Sequence, residues 1–203
     1  MRQLIVAVST AALLSGPCPA LARSITFSFD SLSTGAGTPI TLTSDGVSAT
    51  FTASGDPGGF QIVPSYFSFP GNVIETPGAS FQDFEALNIA FSMPLASFSG
   101  PFATDVSGPL DLTASLGVSE AGTASSTGAI PFGYTYPEGT ISFNGAKFNG
   151  LVLSVPNDPD FALGSFTVTI PEPSTWALML AGFAGVGVVA ARRASRSRRA
   201  FAA

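Results

Sequence analysis

The chain has 203 residues, thirteen acidic and eight basic side chains, a net charge of −5, and no histidine. Without histidine, Ser-His-Asp and Cys-His nucleophile systems and the common zinc sites are excluded. The lone cysteine, Cys18, lies in the leader, so the exported part is expected to use neither disulfides nor thiol chemistry.

In chain order, Arg2, the apolar run Leu4 to Leu14 and the small-x-small site Ala20-Leu21-Ala22 read as a signal peptide over 1–22. Cleavage at Ala20 and Ala22 implies the Sec translocon and signal peptidase as partners. Leu14-Ser15-Gly16 is similar to the start of a lipobox, but Pro17 intervenes before Cys18, so lipidation is not expected.

Residues 23–169 read as one extracytoplasmic domain, long enough to bury a core. Between Ser24 and Thr169, Lys147 stands alone against twelve carboxylates, a net of −11. Such a surface excludes charge-driven binding to nucleic acid. It suits divalent cations, basic partners or neutral sugars.

Apolar residues alternate with Ser and Thr in Ile25/Phe27/Phe29, Val47/Ala49/Phe51/Ala53, Leu87/Ile89/Phe91/Met93 and Leu110/Leu112/Ala114/Leu116/Val118. The same period of two recurs in Leu151/Leu153/Val155 and Phe166/Val168/Ile170, which marks strands with one buried face. Gly and Pro punctuate the gaps. The expected fold is all-β: a two-sheet antiparallel sandwich, jelly-roll-like, with phenylalanine as core filler. Gln82 to Leu87 allows one helical turn. Glu120 to Gly128 reads as a mobile loop or hairpin tip. Phe143 to Phe148 reads as a tight hairpin, with Asn144-Gly145 as a type I′ turn.

Few groups can carry chemistry. Asp83 with Glu85, and Asp158 with Asp160, are candidate carboxylate pairs for a glycosidase, and neither implies a cleft. The chain therefore reads as a non-enzyme with no catalytic residue. No cofactor or metal is assigned, although Asp158 and Asp160 offer the hard oxygen ligands that suit calcium. Tyr134 and Tyr136, on one face if extended, are candidates for stacking on a sugar ring.

The C-terminal region 170–203 differs in kind. Pro171 and Pro173 prevent a helix from running in from upstream. Residues 174–191 are apolar or small and approach the ~20 needed to cross a bilayer. Trp176 sits at one end, and the Arg-rich stretch 192–203 follows the other, cytoplasmic by the positive-inside rule. Pro171-Glu172-Pro173, the Trp176-Ala177-Leu178-Met179 run and Arg192-Arg193 together resemble the PEP-CTERM sorting signal of exported proteins in Gram-negative bacteria. The resemblance implies recognition by an exosortase, a membrane-embedded cysteine protease or transpeptidase, which removes the tail. It further implies an inner-membrane precursor and a product at the cell surface or in the extracellular matrix. The leading expectation is a structural or adhesive role in envelope or biofilm. The alternative is a carbohydrate- or calcium-binding module that contacts extracellular polysaccharide.

Overall fold

The computed structural model describes residues 22–55, 59–76, 86–156 and 160–171, with Gly182, Phe183, Gly185 and Gly187. Most of the signal peptide, Ala20 included, and the possible helical turn before Leu87 lie outside them, as do Glu172, Pro173, Trp176, Arg192 and Arg193. Within 174–191 the four described residues are helical. Among the described residues no helix is long and apolar enough to cross a membrane.

Among the described residues, eleven strands form one antiparallel sheet: β1 (Arg23–Phe27), β2 (Ile40–Ser44), β3 (Val47–Ser54), β4 (Gln61–Pro64), β5 (Asn72–Glu75), β6 (Ala86–Thr104), β7 (Pro109–Leu116), β8 (Ser119–Thr127), β9 (Glu138–Ser154), β10 (Phe161–Leu163) and β11 (Phe166–Ile170). The long strands β6 and β9 organise it. The first part of β6 lies between β3 and the end of β9, which passes on to β7 and β8. Its second part lies beside the start of β9 and pairs on its other side with β11 and β10, which lead out to β1, β5 and β4. Between these parts the β6–β9 register shifts, from Ala90 through Leu95 to Ser97. Shifts of this kind bend a strand and increase its twist.

The two halves face each other. Phe51 of β3 and Phe166 of β11 share no backbone pairing, yet their ring centroids are 6.0 Å apart. Phe166 also meets Phe27 and Phe98, each at 5.2 Å, and is 1% exposed. Where two sheets were expected, one antiparallel sheet doubles over, its two halves sharing β6 and β9. Gly100 leaves room for this centre, since a Cβ there would lie 2.8 Å from that of Phe166. On the outer face the alternating hydroxyls hydrogen-bond across strands, as in Thr41–Thr50 at 3.1 Å and Ser99–Ser142 at 2.8 Å.

Two expectations are corrected. Residues 143–148 are not a hairpin: β9 runs through them. Phe143 and Phe148 are five apart, so a regular strand would put them on opposite faces. Gly145 at φ 136° lies within the irregular stretch that resets the parity, and both rings enter the core 5.4 Å apart. Residues 120–127 belong to strand β8 rather than a loop. An edge strand is held by its backbone ladder, here to β7, and small polar side chains suffice.

The segment after β1 is latched to the β4–β5 turn. Asp30 accepts the Asn72 N–H at 2.7 Å and the Ser28 hydroxyl at 2.9 Å. These bonds, the Asn72 one foremost, hold the Asp30 carboxyl below its ordinary range. Gly71, at φ 92°, leaves the space this carboxylate fills: a Cβ there would sit 2.7 Å from Asp30 Oδ1.

Candidate functional site

The adjacent strands β5, β10 and β6 bring Glu75, Ala162 and Ala103 into one row. Two alanines beside a glutamate leave a recess in the outer face of the sheet. Its walls come from loops. Tyr66 and Phe67 follow β4, and Tyr136 precedes β9. Asp105 and Asp160 stand at the ends of β6 and β10. The resulting cleft encloses about 260 Å³ and is open on one side.

Its walls are well supported. Phe67, Val73, Ala103 and Ala162 form a small second core, with Phe69 and Tyr136 packed on it. Tyr136 meets Tyr66 and Phe67 edge-on at 5.7 and 5.8 Å. The Tyr66 ring lies 4.2 Å from that of Phe67, and the residue, 55% exposed, lines the opening. The Ser68 N–H donates to both carboxylate oxygens of Glu138, at 3.0 and 3.1 Å, and the Ser68 hydroxyl bonds the same group. This clamp ties the Tyr66 loop to the start of β9. Thr104 N–H donates to Pro137 O at 3.0 Å, and Asp105 N–H to Asp160 O at 3.3 Å.

The electrostatics are one-sided. Tyr66 donates its hydroxyl to Glu75 Oε2 at 2.8 Å. Burial foremost raises the Glu75 carboxyl above its ordinary range; the Tyr66 hydrogen bond opposes this, and the Asp160 charge adds to it. Burial first, then the bond to Glu75 and its charge, push the Tyr66 hydroxyl up. None of the lining side chains is Lys or Arg.

The expected site residues are thus redistributed. Asp160 and Tyr136, read from sequence as parts of separate sites, line the same cleft. Asp158 lies outside the described residues, as do Asp83 and Glu85. Tyr134 does not join Tyr136: Pro131 to Tyr134 forms a turn closed by Tyr134 N–H to Pro131 O at 3.1 Å, with Gly133 at φ 86°. Glycine at that turn position permits the positive φ that breaks an extended alternation. Tyr66, Glu75 and Asp105 carry no motif; the only local signal is three aromatics in four residues, Tyr66, Phe67 and Phe69. Among the described residues, no cluster of three or more His, Cys, Asp or Glu is arranged to hold a metal. A second recess, of about 300 Å³, is lined by Asp30, Phe69 and Pro101, and there the Asp30 carboxylate is committed to the latch.

The chain carries the PEP-CTERM protein-sorting motif, whose family model matches residues 169–194. No curated protein matches the chain. Among solved structures, a family 6 carbohydrate-binding module aligns at 16% identity over 59% of this chain and 87% of its own, with TM-score 0.37. A family 29 carbohydrate-binding module complexed with mannohexaose aligns at 13% over 74% and 93%, with TM-score 0.38. The enzymatically active domain of bacteriophage CBA120 tailspike protein 4 aligns at 14% over 60% and 19%, with TM-score 0.39. Likeness at this level carries no argument about ligand or activity.

Proposed function

We propose that this is an exosortase-sorted exported protein whose β-domain has a structural or adhesive, non-catalytic role at the cell surface or in a biofilm matrix. The observation that carries the reading is the sorting motif over 169–194, which begins within the last strand, β11. In this reading the Sec translocon and signal peptidase handle residues 1–22. The span 174–191 holds the precursor in the inner membrane with 192–203 cytoplasmic, and exosortase then acts near Pro171–Pro173. Mass spectrometry of the surface form tests it: the chain is expected to end near Pro171–Pro173. An intact C-terminus at Ala203 would overturn the proposal.

The alternative, an extracellular carbohydrate-binding module, is favoured by one observation, the meeting of Tyr136 with Tyr66 and Asp160 in one cleft. Its calcium-binding form would rest on Asp158 with Asp160.

A further inference from the structure

We propose that the Tyr66–Tyr136 cleft binds an unacetylated amino sugar of an extracellular polysaccharide, its ring on Tyr66 and its ammonium group beside Glu75. This deepens the carbohydrate reading by naming the ligand class, and it rests on that reading only for the polymer being a glycan.

Shape selects the ring. The cleft, at about 260 Å³, falls just below the ~300–1,000 Å³ of pockets for drug-sized ligands, so it takes one ring-sized unit at a time. It is open on one side, which lets a polymer chain pass. Phe67 backs Tyr66, and Tyr136 fixes it edge-on, so the exposed ring is a rigid platform that loses little entropy on binding. Stacking of a sugar's C–H face on such a ring needs no hydrogen-bond code.

Charge selects the amine. Glu75, Asp105 and Asp160 line the cleft with no Lys or Arg among them, and the domain around it is strongly acidic. A neutral sugar would leave this field unused, and an acidic one would be repelled. An ammonium group beside Glu75 gains the carboxylate while the sugar ring covers Tyr66. Glu75 is half-buried, so a cation paired with its carboxylate is screened less than at the open surface. A flexible lysine side chain supplies the same charge but no ring to cover Tyr66, which favours the sugar.

The experiment is calorimetric titration of the protein recovered from the cell envelope, at low and at 0.5 M salt. The probes are a glucosamine hexasaccharide, its fully N-acetylated counterpart, cellohexaose and hexalysine. Binding of the glucosamine oligomer is expected, weakened by salt. Tyr66→Ala and Glu75→Gln are each expected to weaken it about tenfold, the equivalent of one well-placed contact. Asp111→Asn removes the same charge on β7 and is expected to change affinity less than about twofold. Melting curves confirm that each variant is folded. Equal binding of the acetylated or cellulose oligomer, or of hexalysine, would overturn the amino-sugar assignment. Equal losses in Asp111→Asn and Glu75→Gln would reduce the effect to general acidity and overturn the site. No binding by folded protein would also overturn it. The exosortase reading depends on where the chain ends, so these titrations leave it standing or falling separately.

Discussion

Phe166 is the residue on which the doubled sheet turns. It sits on β11 in one half and touches Phe51 of β3 in the other, while Phe27, Phe29, Phe91 and Phe98 complete its shell at 5.2 to 6.4 Å. Phe166→Ala removes a fully buried ring and leaves a cavity, which costs about 3–5 kcal/mol. For a domain of ordinary stability, ~5–15 kcal/mol, that is a large share. Gly100 opposes Phe166 through its missing side chain, so backbone collapse can fill only part of the space. Urea denaturation gives the loss directly. The sharper measurement is a cycle of Phe51→Leu and Phe166→Leu. Rings in edge-to-face contact couple by about 0.5–1.5 kcal/mol beyond burial, whereas residues in separate, non-facing sheets add independently. A coupling below about 0.3 kcal/mol, or a loss under ~2 kcal/mol for Phe166→Ala, would refute the account of two halves packed face to face.

Two further outcomes concern charged groups. The Glu75 carboxyl is raised from its ordinary value of 4.5, so its ionisation is less favourable in the folded chain than in the unfolded one. Its contribution is neutral below that value and becomes a cost as pH rises through the folded value. Glu75→Gln is therefore expected to gain stability over wild type between pH 4 and pH 7; a difference in denaturation midpoint that stays flat or reverses would contradict this. Gly71→Ala places a side chain at φ 92°, which costs about 1–3 kcal/mol, and drives the Asp30 carboxylate off Asn72. The Asp30 carboxyl is lowered from 3.8, so its stabilisation is present above that value and is lost as pH falls through the folded value. The variant should accordingly lose more at pH 7 than at pH 3, measured by the same denaturation.

The strands were legible where one face stays buried from end to end. Ile25, Phe27 and Phe29 point inward as their spacing requires, as do Val47, Ala49 and Phe51. The pattern misled where the chain leaves the core. Leu116 and Val118 continue the alternation of β7 but lie exposed at its hairpin tip, and Met93 is exposed where β6 shifts register. Periodicity records side-chain type, not where a strand ends or slips. The cleft was illegible for another reason. Glu75, Ala103 and Ala162 meet only because β10 inserts between β5 and β6, and nothing local encodes that adjacency. By contrast, the sorting motif is read by its order along the chain, and residues 169–194 carry it without reference to the fold.

The pairing of β11 sets a direction for the whole domain. Along β6, the last strand runs from Ser99 toward Ser97, while the cleft gathers at Ala103 to Asp105. The seven rises along the strand from Ser97 to Thr104 span about 23 Å. Any group joined near Pro171, just past β11, would hold the protein by its foot, with the cleft at the crown. Many copies so planted would stand like bristles, their open ends level. A polymer chain settling across them would meet each next cleft at high effective concentration, so weak single grips would sum to a firm hold.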